Sequence, residues 1–230
     1  MRTLLALWLL GCGAAPTPVA APSPSTAPAA PPLADTVPRS AGPRVVFLGD
    51  SLTAGLGLSV DQAFPARAGK ALAERGLPVQ VVNAGVSGDT SAGGLRRLDW
   101  ILSQKPDVLV LALGANDMLR GLPPADCEAN LRAIVTTAKA AGVDVLLLGM
   151  KANPTLGSDY VTRFDAIYPT LAAELGVGLV PFFLDGVAGN SSLNQPDGLH
   201  PTAAGQDHVT ALILPALEPL VRARAASSGG

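Results

Sequence analysis

Aromatic side chains are nearly missing from this sequence: Phe, Tyr and Trp together make up 4% of its 230 residues. Stacking platforms for bases or sugars are therefore not suggested. Charge is sparse too. The formal net charge is −2, and so balanced a chain carries no basic footprint for nucleic acid. With two histidines and two cysteines in all, and Cys12 and Cys127 in unlike contexts, neither a disulfide framework nor a transition-metal site is indicated, and no cofactor is implied. Cys127 has no histidine in its segment and reads as a small, partly buried side chain rather than a nucleophile. What remains is 48% hydrophobic, an ordinary composition for a globular protein of one or two domains.

Proline and alanine are plentiful, and they are densest at the front. The opening stretch "MRTLLALWLLGCG" puts Arg2 before an apolar run, Leu4 to Leu10, that is too short to span a bilayer and has the shape of an export signal over residues 1–12. The stretch "LLGC" resembles the bacterial lipobox, which implies lipidation of Cys12 and an anchored lipoprotein facing the periplasm or cell exterior. Residues 13–43, as in "AAPTPVAAPSPSTAPAAPPLADTVP", hold too little large apolar surface to pack and read as a polyproline-like tether. At ~3.1 Å per residue it reaches roughly 90 Å when extended.

From residue 44 the pattern changes. Short Val- and Leu-rich runs, 45–48, 79–82, 108–113, 143–148 and 178–181, lack the polar alternation of a sheet with one wet face and predict strands buried on both sides. Between them helical periodicity predicts helices over 61–75, 91–104, 125–141, 159–175 and 202–224, the last kinked or broken at Pro215. Five strand–helix repeats imply a three-layer α/β/α sandwich around a five-stranded parallel sheet, residues 44–224, with 225–230 a disordered tail.

In such a domain ligands bind beyond the carboxyl ends of the strands. The first such loop holds Asp50 and Ser51, in "RVVFLGDSLTAGLG", which are ordinary turn and cap residues as well as possible chemistry. "NAGVSGDTSAG" follows the second strand, with Asp89 or Thr90 able to cap the next helix. "GANDMLRG" follows the third, "MKANPTLGSD" the fourth, and "NQPDGLHPTAAG" precedes the last helix. His208 lies within that helix pattern and reads as a surface residue. His200 precedes it, three residues after Asp197, close enough for the carboxylate to accept the Nδ1 proton. Alone, that spacing also suits a plain turn. A serine hydroxyl needs a base and the base needs an orienting group, and all three types lie at junctions that the fold brings to one edge.

The ordered blocks "GDSL", "SGDT", "GAND" and "DGLH" resemble the SGNH or GDSL hydrolases over residues 44–222. The likeness is to the bacterial arylesterase and acyl-thioesterase/lysophospholipase branch. It implies a flavodoxin-like sheet and a serine esterase acting on a small-molecule or lipid ester through an acyl-enzyme. Ser51 is implied as nucleophile, His200 as general base then acid, and Asp197 as its orienter, with an oxyanion hole from the N–H groups of Ser51 and Gly88 and the side-chain amide of Asn116. Ala115 stands where relatives often have glycine, which leaves the donor intact and narrows the pocket. Asp50, Asp89 and Asp117 are expected to hold turns or caps. Met118, Leu119, Leu122, Pro154, Leu156 and Phe183 are the apolar residues expected to receive the acyl or aryl group. Two other readings compete: a receiver-like domain in which Asp50 and Asp117 bind Mg²⁺ for phosphoryl transfer, and a lipoprotein that binds a lipid or glycan in the same cleft without turnover.

Overall fold

The computed structural model describes residues 42–228; the lipidation reading at Cys12 and the tether reading up to residue 41 lie outside them. Strands β1 (Arg44–Gly49), β2 (Gln80–Gly85), β3 (Val108–Ala112), β4 (Asp144–Leu148) and β5 (Gly178–Val180) form one parallel sheet in the order β2-β1-β3-β4-β5. Helices α1 (Ser51–Ala54), α2 (Phe64–Glu74), α3 (Ser91–Arg96), α4 (Leu98–Ser103), α5 (Ala115–Leu119), α6 (Pro124–Ala140), α7 (Ser158–Leu175) and α8 (Ala203–Ser228) follow or join them. Packing of α2 on α8 and of α6 on both α3 and α7 separates the helices into two layers. All of β3 is buried, as is β1 beyond its first residue, which is why both read as unbroken apolar runs.

Between the layers the larger side chains interlock. Phe64 from α2 meets Phe47 of β1 edge-on at 5.7 Å between ring centroids and Phe183 at 6.2 Å. On the other face Phe164 and Tyr168 of α7 are buried in T-shaped contact. Tyr168 could not be buried with an idle hydroxyl; it donates to the Leu113 carbonyl at 2.8 Å, just past the end of β3.

The expected strands are all present, and the helices differ from expectation: the one expected over 61–75 begins at Phe64, after a 3₁₀ turn over Val60–Gln62, and the short helices α1 and α5 have no expected counterpart. The helix expected over 91–104 divides at Arg97, whose backbone leaves the helical region (φ −105°, ψ 12°). The last helix runs unbroken through Pro215 and Pro219. Loss of the helical bond at a proline costs about 3 kcal/mol, but Ile213, Leu214 and Leu217 are buried beside Pro215, at about 1.5–3 kcal/mol each, so packing outweighs it. Finally, the tail expected from residue 225 is helical to Ser228, because Ala225 and Ala226 extend α8 at no propensity cost.

At the end of β2 the backbone of α1 approaches closely. A Cβ on Gly85 would stand 2.3 Å from the backbone nitrogen of Ala54 and 2.7 Å from its Cα, so only glycine lets α1 lie against this strand end. Gly85→Ala is expected to cost about 1–3 kcal/mol by overpacking and to reduce turnover through displacement of α1. Urea unfolding with parallel activity assays measures both, and an unchanged midpoint would show that α1 is free to shift.

Candidate active site

The sheet order reverses between β1 and β3: the chain leaves β1 for β2 on one side and reaches β3 on the other. The crevice at such a switch point is where α/β sheets of this order bind ligands. Ser51 is the first residue of α1, immediately after β1, and Asp50 caps that helix by accepting the Leu52 N–H at 3.0 Å. Asn116 lies in the first turn of α5, after β3.

His200 arrives from the far edge, on the irregular segment between β5 and α8. Asp197 folds that segment around itself: its Oδ1 accepts the backbone N–H groups of Leu199 (2.9 Å) and His200 (3.0 Å), and its Oδ2 lies 2.7 Å from His200 Nδ1. Hydrogen bonds from the His200 and Leu199 backbone, followed by the one from the imidazole, hold the Asp197 carboxyl down at about 2. An ionised carboxylate only accepts, so Nδ1 carries the proton and Nε2 presents a lone pair. That nitrogen is 2.9 Å from Ser51 Oγ. A hydroxyl, an imidazole and a carboxylate therefore stand in one hydrogen-bonded line, able to draw a proton from the serine.

Donors face the same space. As the first residue of a helix, Ser51 has an N–H with no intrahelical acceptor. Gly88, with φ +81°, holds a backbone conformation that side chains with a Cβ rarely adopt. The Asn116 amide nitrogen donates to the Asp89 carbonyl at 3.0 Å and to Asp50 Oδ2 at 3.3 Å. Ser51, Gly88, Asn116 and His200 all line one cavity of about 320 Å³.

Polar cross-links behind the cavity tie its loops together. Asp117 is buried and accepts both the N–H (2.8 Å) and the hydroxyl (2.6 Å) of Ser91, fastening α5 to the start of α3. Arg97 pairs with Asp89 at 2.7 Å and donates to the Gly49 carbonyl at 2.9 Å, so the break after α3 serves to aim this guanidinium at the end of β1. Of the two cap candidates for α3, Thr90 is the one used, accepting the Gly93 N–H at 3.2 Å. Arg120 donates to the Gly88 carbonyl at 2.6 Å, a contact that no sequence pattern signalled. Asp50 accepts from Leu52 and Asn116 and Asp117 from Ser91, so the two carboxylates of the phosphoryl-transfer reading serve different donors.

Apolar side chains complete the cavity: Leu52, Leu56, Met118, Leu119, Met150, Leu184 and Leu199, with Ala115. Of the six residues expected to receive the acyl or aryl group, Met118 and Leu119 line the cavity and the other four do not. Phe183 is buried in the core against Phe64, Pro154 and Leu156 belong to an exposed 3₁₀ turn (Pro154–Leu156), and Leu122 lies outside the lining with its carbonyl held by the Tyr160 hydroxyl. Leu56, Met150, Leu184 and Leu199 were missed because nothing local distinguishes a lining leucine from a core one. Away from the site, His208 is exposed as expected. Cys127 is fully rather than partly buried, and burial pushes its thiol up to about 12.

Comparison with known proteins agrees with this geometry. The model of the GDSL-like Lipase/Acylhydrolase family matches residues 47–208, from β1 ahead of Ser51 into α8 beyond His200. The chain belongs to this family. It is 43% identical over 184 residues to esterase TesA of Pseudomonas aeruginosa, covering 80% of this chain and 92% of that one. To thioesterase 1/protease 1/lysophospholipase L1 of Escherichia coli (strain K12) it is 39% identical over 183 residues, covering 79% and 86%. A crystal structure of TesA matches with a TM-score of 0.74 at 44% identity, over 77% of this chain and 99% of that chain. The α/β sandwich and the carboxylic ester hydrolase expected from the sequence are thus both shown.

Asp50 offers a test of the site's electrostatics. Burial pushes its carboxyl from 3.8 up to about 6, against the hydrogen bond from Leu52, the charge of His200 and the bond from Asn116. Between those two values the folded chain keeps a proton that the unfolded chain has lost, so this group's stabilisation is complete below about pH 4 and falls away as pH rises through about 6. Asp50→Asn has no such proton. Relative to wild type, it is expected to gain up to about 3 kcal/mol between about pH 3.5 and pH 7. Urea unfolding across that range measures the difference, and a constant offset between the two proteins would contradict it.

Proposed function

We propose that Ser51, His200 and Asp197 carry the ester hydrolysis of this family member, with Ser51, Gly88 and Asn116 receiving the oxyanion. The observation that carries this reading is the hydrogen-bonded line from Ser51 Oγ through His200 to Asp197, at 2.9 and 2.7 Å, opening into the cavity that Gly88 and Asn116 also line. His200 Nε2 takes the hydroxyl proton as Ser51 Oγ attacks the ester carbonyl. Asp197, ionised and hydrogen-bonded to Nδ1, fixes the tautomer and stabilises the imidazolium.

Negative charge then develops on the former carbonyl oxygen, where neutral donors fixed in advance are most effective. Both Asn116 Nδ2 hydrogens are engaged in the free site, and the bond to Asp50 is the longer, so it is the one the oxyanion shares or replaces. Collapse of the intermediate breaks the bond to the leaving oxygen, which accepts the proton from His200. Water, deprotonated by His200, then attacks the acyl-serine, and its proton returns to Ser51 as the acid product leaves.

The substrate class follows from the lining. Among the described residues that line the cavity, Asp50 and His200 alone are ionisable, and the apolar wall suits an alkyl or aryl group over a charged one. Aryl esters, short acyl esters and the single chain of a lysophospholipid fit this description. Residues 1–43 support a further part of the reading, in which the enzyme is exported and lipidated at Cys12, held on a proline-rich tether at a membrane facing the periplasm or cell exterior. Acyl-CoA is a cytosolic metabolite, so in that setting thioester cleavage is secondary.

Ser51→Ala or His200→Ala is expected to lower kcat by roughly 10⁴-fold or more, and Asn116→Ala by about 10²- to 10³-fold, with p-nitrophenyl esters as substrate. A tenfold loss at Asn116 would remove it from the oxyanion hole. Because the base must be unprotonated, kcat/KM should fall on acidification; a flat profile would count against His200. Cys12→Ser should move the protein from the detergent phase to the aqueous phase on Triton X-114 partitioning, and an unmoved protein would contradict the anchor.

A further inference from the structure

His200 and Asp197 ride on about twenty residues of irregular chain between β5 and α8, although the line to Ser51 tolerates little displacement. The segment closes as a small hairpin: Asn194 and Pro201 form an antiparallel bridge, the Gln195 N–H donates to the His200 carbonyl at 2.7 Å, and the Thr202 N–H to Leu193 at 2.8 Å. These bonds shape the hairpin without saying where it sits. Besides the His200–Ser51 contact, one hairpin side chain among the described residues hydrogen-bonds across to the chain that carries the nucleophile. Gln195 Nε2 donates to the Pro201 carbonyl at 3.0 Å, beside His200, and to the Leu56 carbonyl at 2.7 Å, just beyond α1. Its Oε1 lies so close to Gly57 that a Cβ there would stand 2.4 Å away. Gln206, buried at the other end of the junction, donates to the Leu52 carbonyl at 3.2 Å and accepts the Phe64 N–H at 2.9 Å, but it belongs to α8 and fixes the helix rather than the hairpin.

We infer that Gln195 is a positioning residue of the catalytic machinery, clamping the hairpin that carries the acid–base pair to the chain that carries the nucleophile. This rests on the assignment of Ser51 as nucleophile and His200 as base. An amide suits the task because its two N–H groups reach two backbone carbonyls belonging to different segments. Gln195 acts through His200, and it is half-buried at the rim, so its loss leaves the hydrophobic core in place.

The test is the rate at which a fluorophosphonate labels Ser51 in the full chain, together with kcat and KM. Gln195→Met keeps the length and removes the donors; Gln195→Asn keeps the amide but is too short for both carbonyls. Misplacing a reacting group by about 1 Å costs on the order of 10²-fold, so labelling and kcat should fall about 10- to 100-fold in both variants with KM nearly constant. In the His200→Ala background the same changes should alter labelling less than about twofold. Labelling within about twofold of wild type in both single variants would overturn the inference. So would an equal loss with and without His200, since the effect would then not pass through the imidazole. If His200→Ala by itself leaves labelling unchanged, it is the triad assignment that fails, a result separable from the others.

Discussion

A parallel sheet covered on both faces has only its strand ends to offer to chemistry, and here the reversal of strand order at β1 opens the gap in which that chemistry fits. Everything in the site is referred to this gap. Ser51 stands at the end of β1, Gly88 follows β2, Asn116 follows β3, and His200 is brought back from beyond β5. The buried interior supplies rigidity, with Phe47, Phe64 and Phe183 interlocked below one side of the gap and Tyr168 propping the end of β3 on the other.

Rigid strands do not by themselves fix loops to within a few tenths of an ångström. That is the part of the polar residues around the cavity. Asp117 holds Ser91, Arg97 joins Asp89 to Gly49, Asp50 caps α1 while touching Asn116, and Gln195 bridges to Leu56. A buried polar group is costly unless partnered, so Asp50 and Asp117 are tolerated only in the arrangement that satisfies them. The catalytic loops are thereby restricted to one register. Asp50 shows the cost most plainly, since burial raises its carboxyl to about 6 beside donors that favour its charge.

Much of this was legible in the chain itself. The strands at 45–48 and 108–113 announce themselves because a two-faced strand is apolar at every position, and Gly88 and Asn116 fall in blocks that resemble a known family. The pocket was harder. Phe183 sits between two loops and looked available, but it turns into the core against Phe64, while Leu184, its neighbour, lines the cavity. Outside regular strands, adjacent residues obey no fixed alternation that a reader of the sequence could apply. The helix breaks are missed for a related reason: Pro215 and Arg97 are governed by what they pack on or bond to, and local propensity is silent about both.

By itself, then, the sequence determined the order of elements, the class of sheet and the residue types able to cleave an ester, because periodicity and short motifs are local properties of the chain. Only the tertiary structure decided that His200 meets Ser51 across 149 positions, which leucines line the cavity, and that Gln195 reaches Leu56. Those are distances between segments remote in sequence, set by how layers pack and how buried polar groups find partners, and no local pattern encodes them.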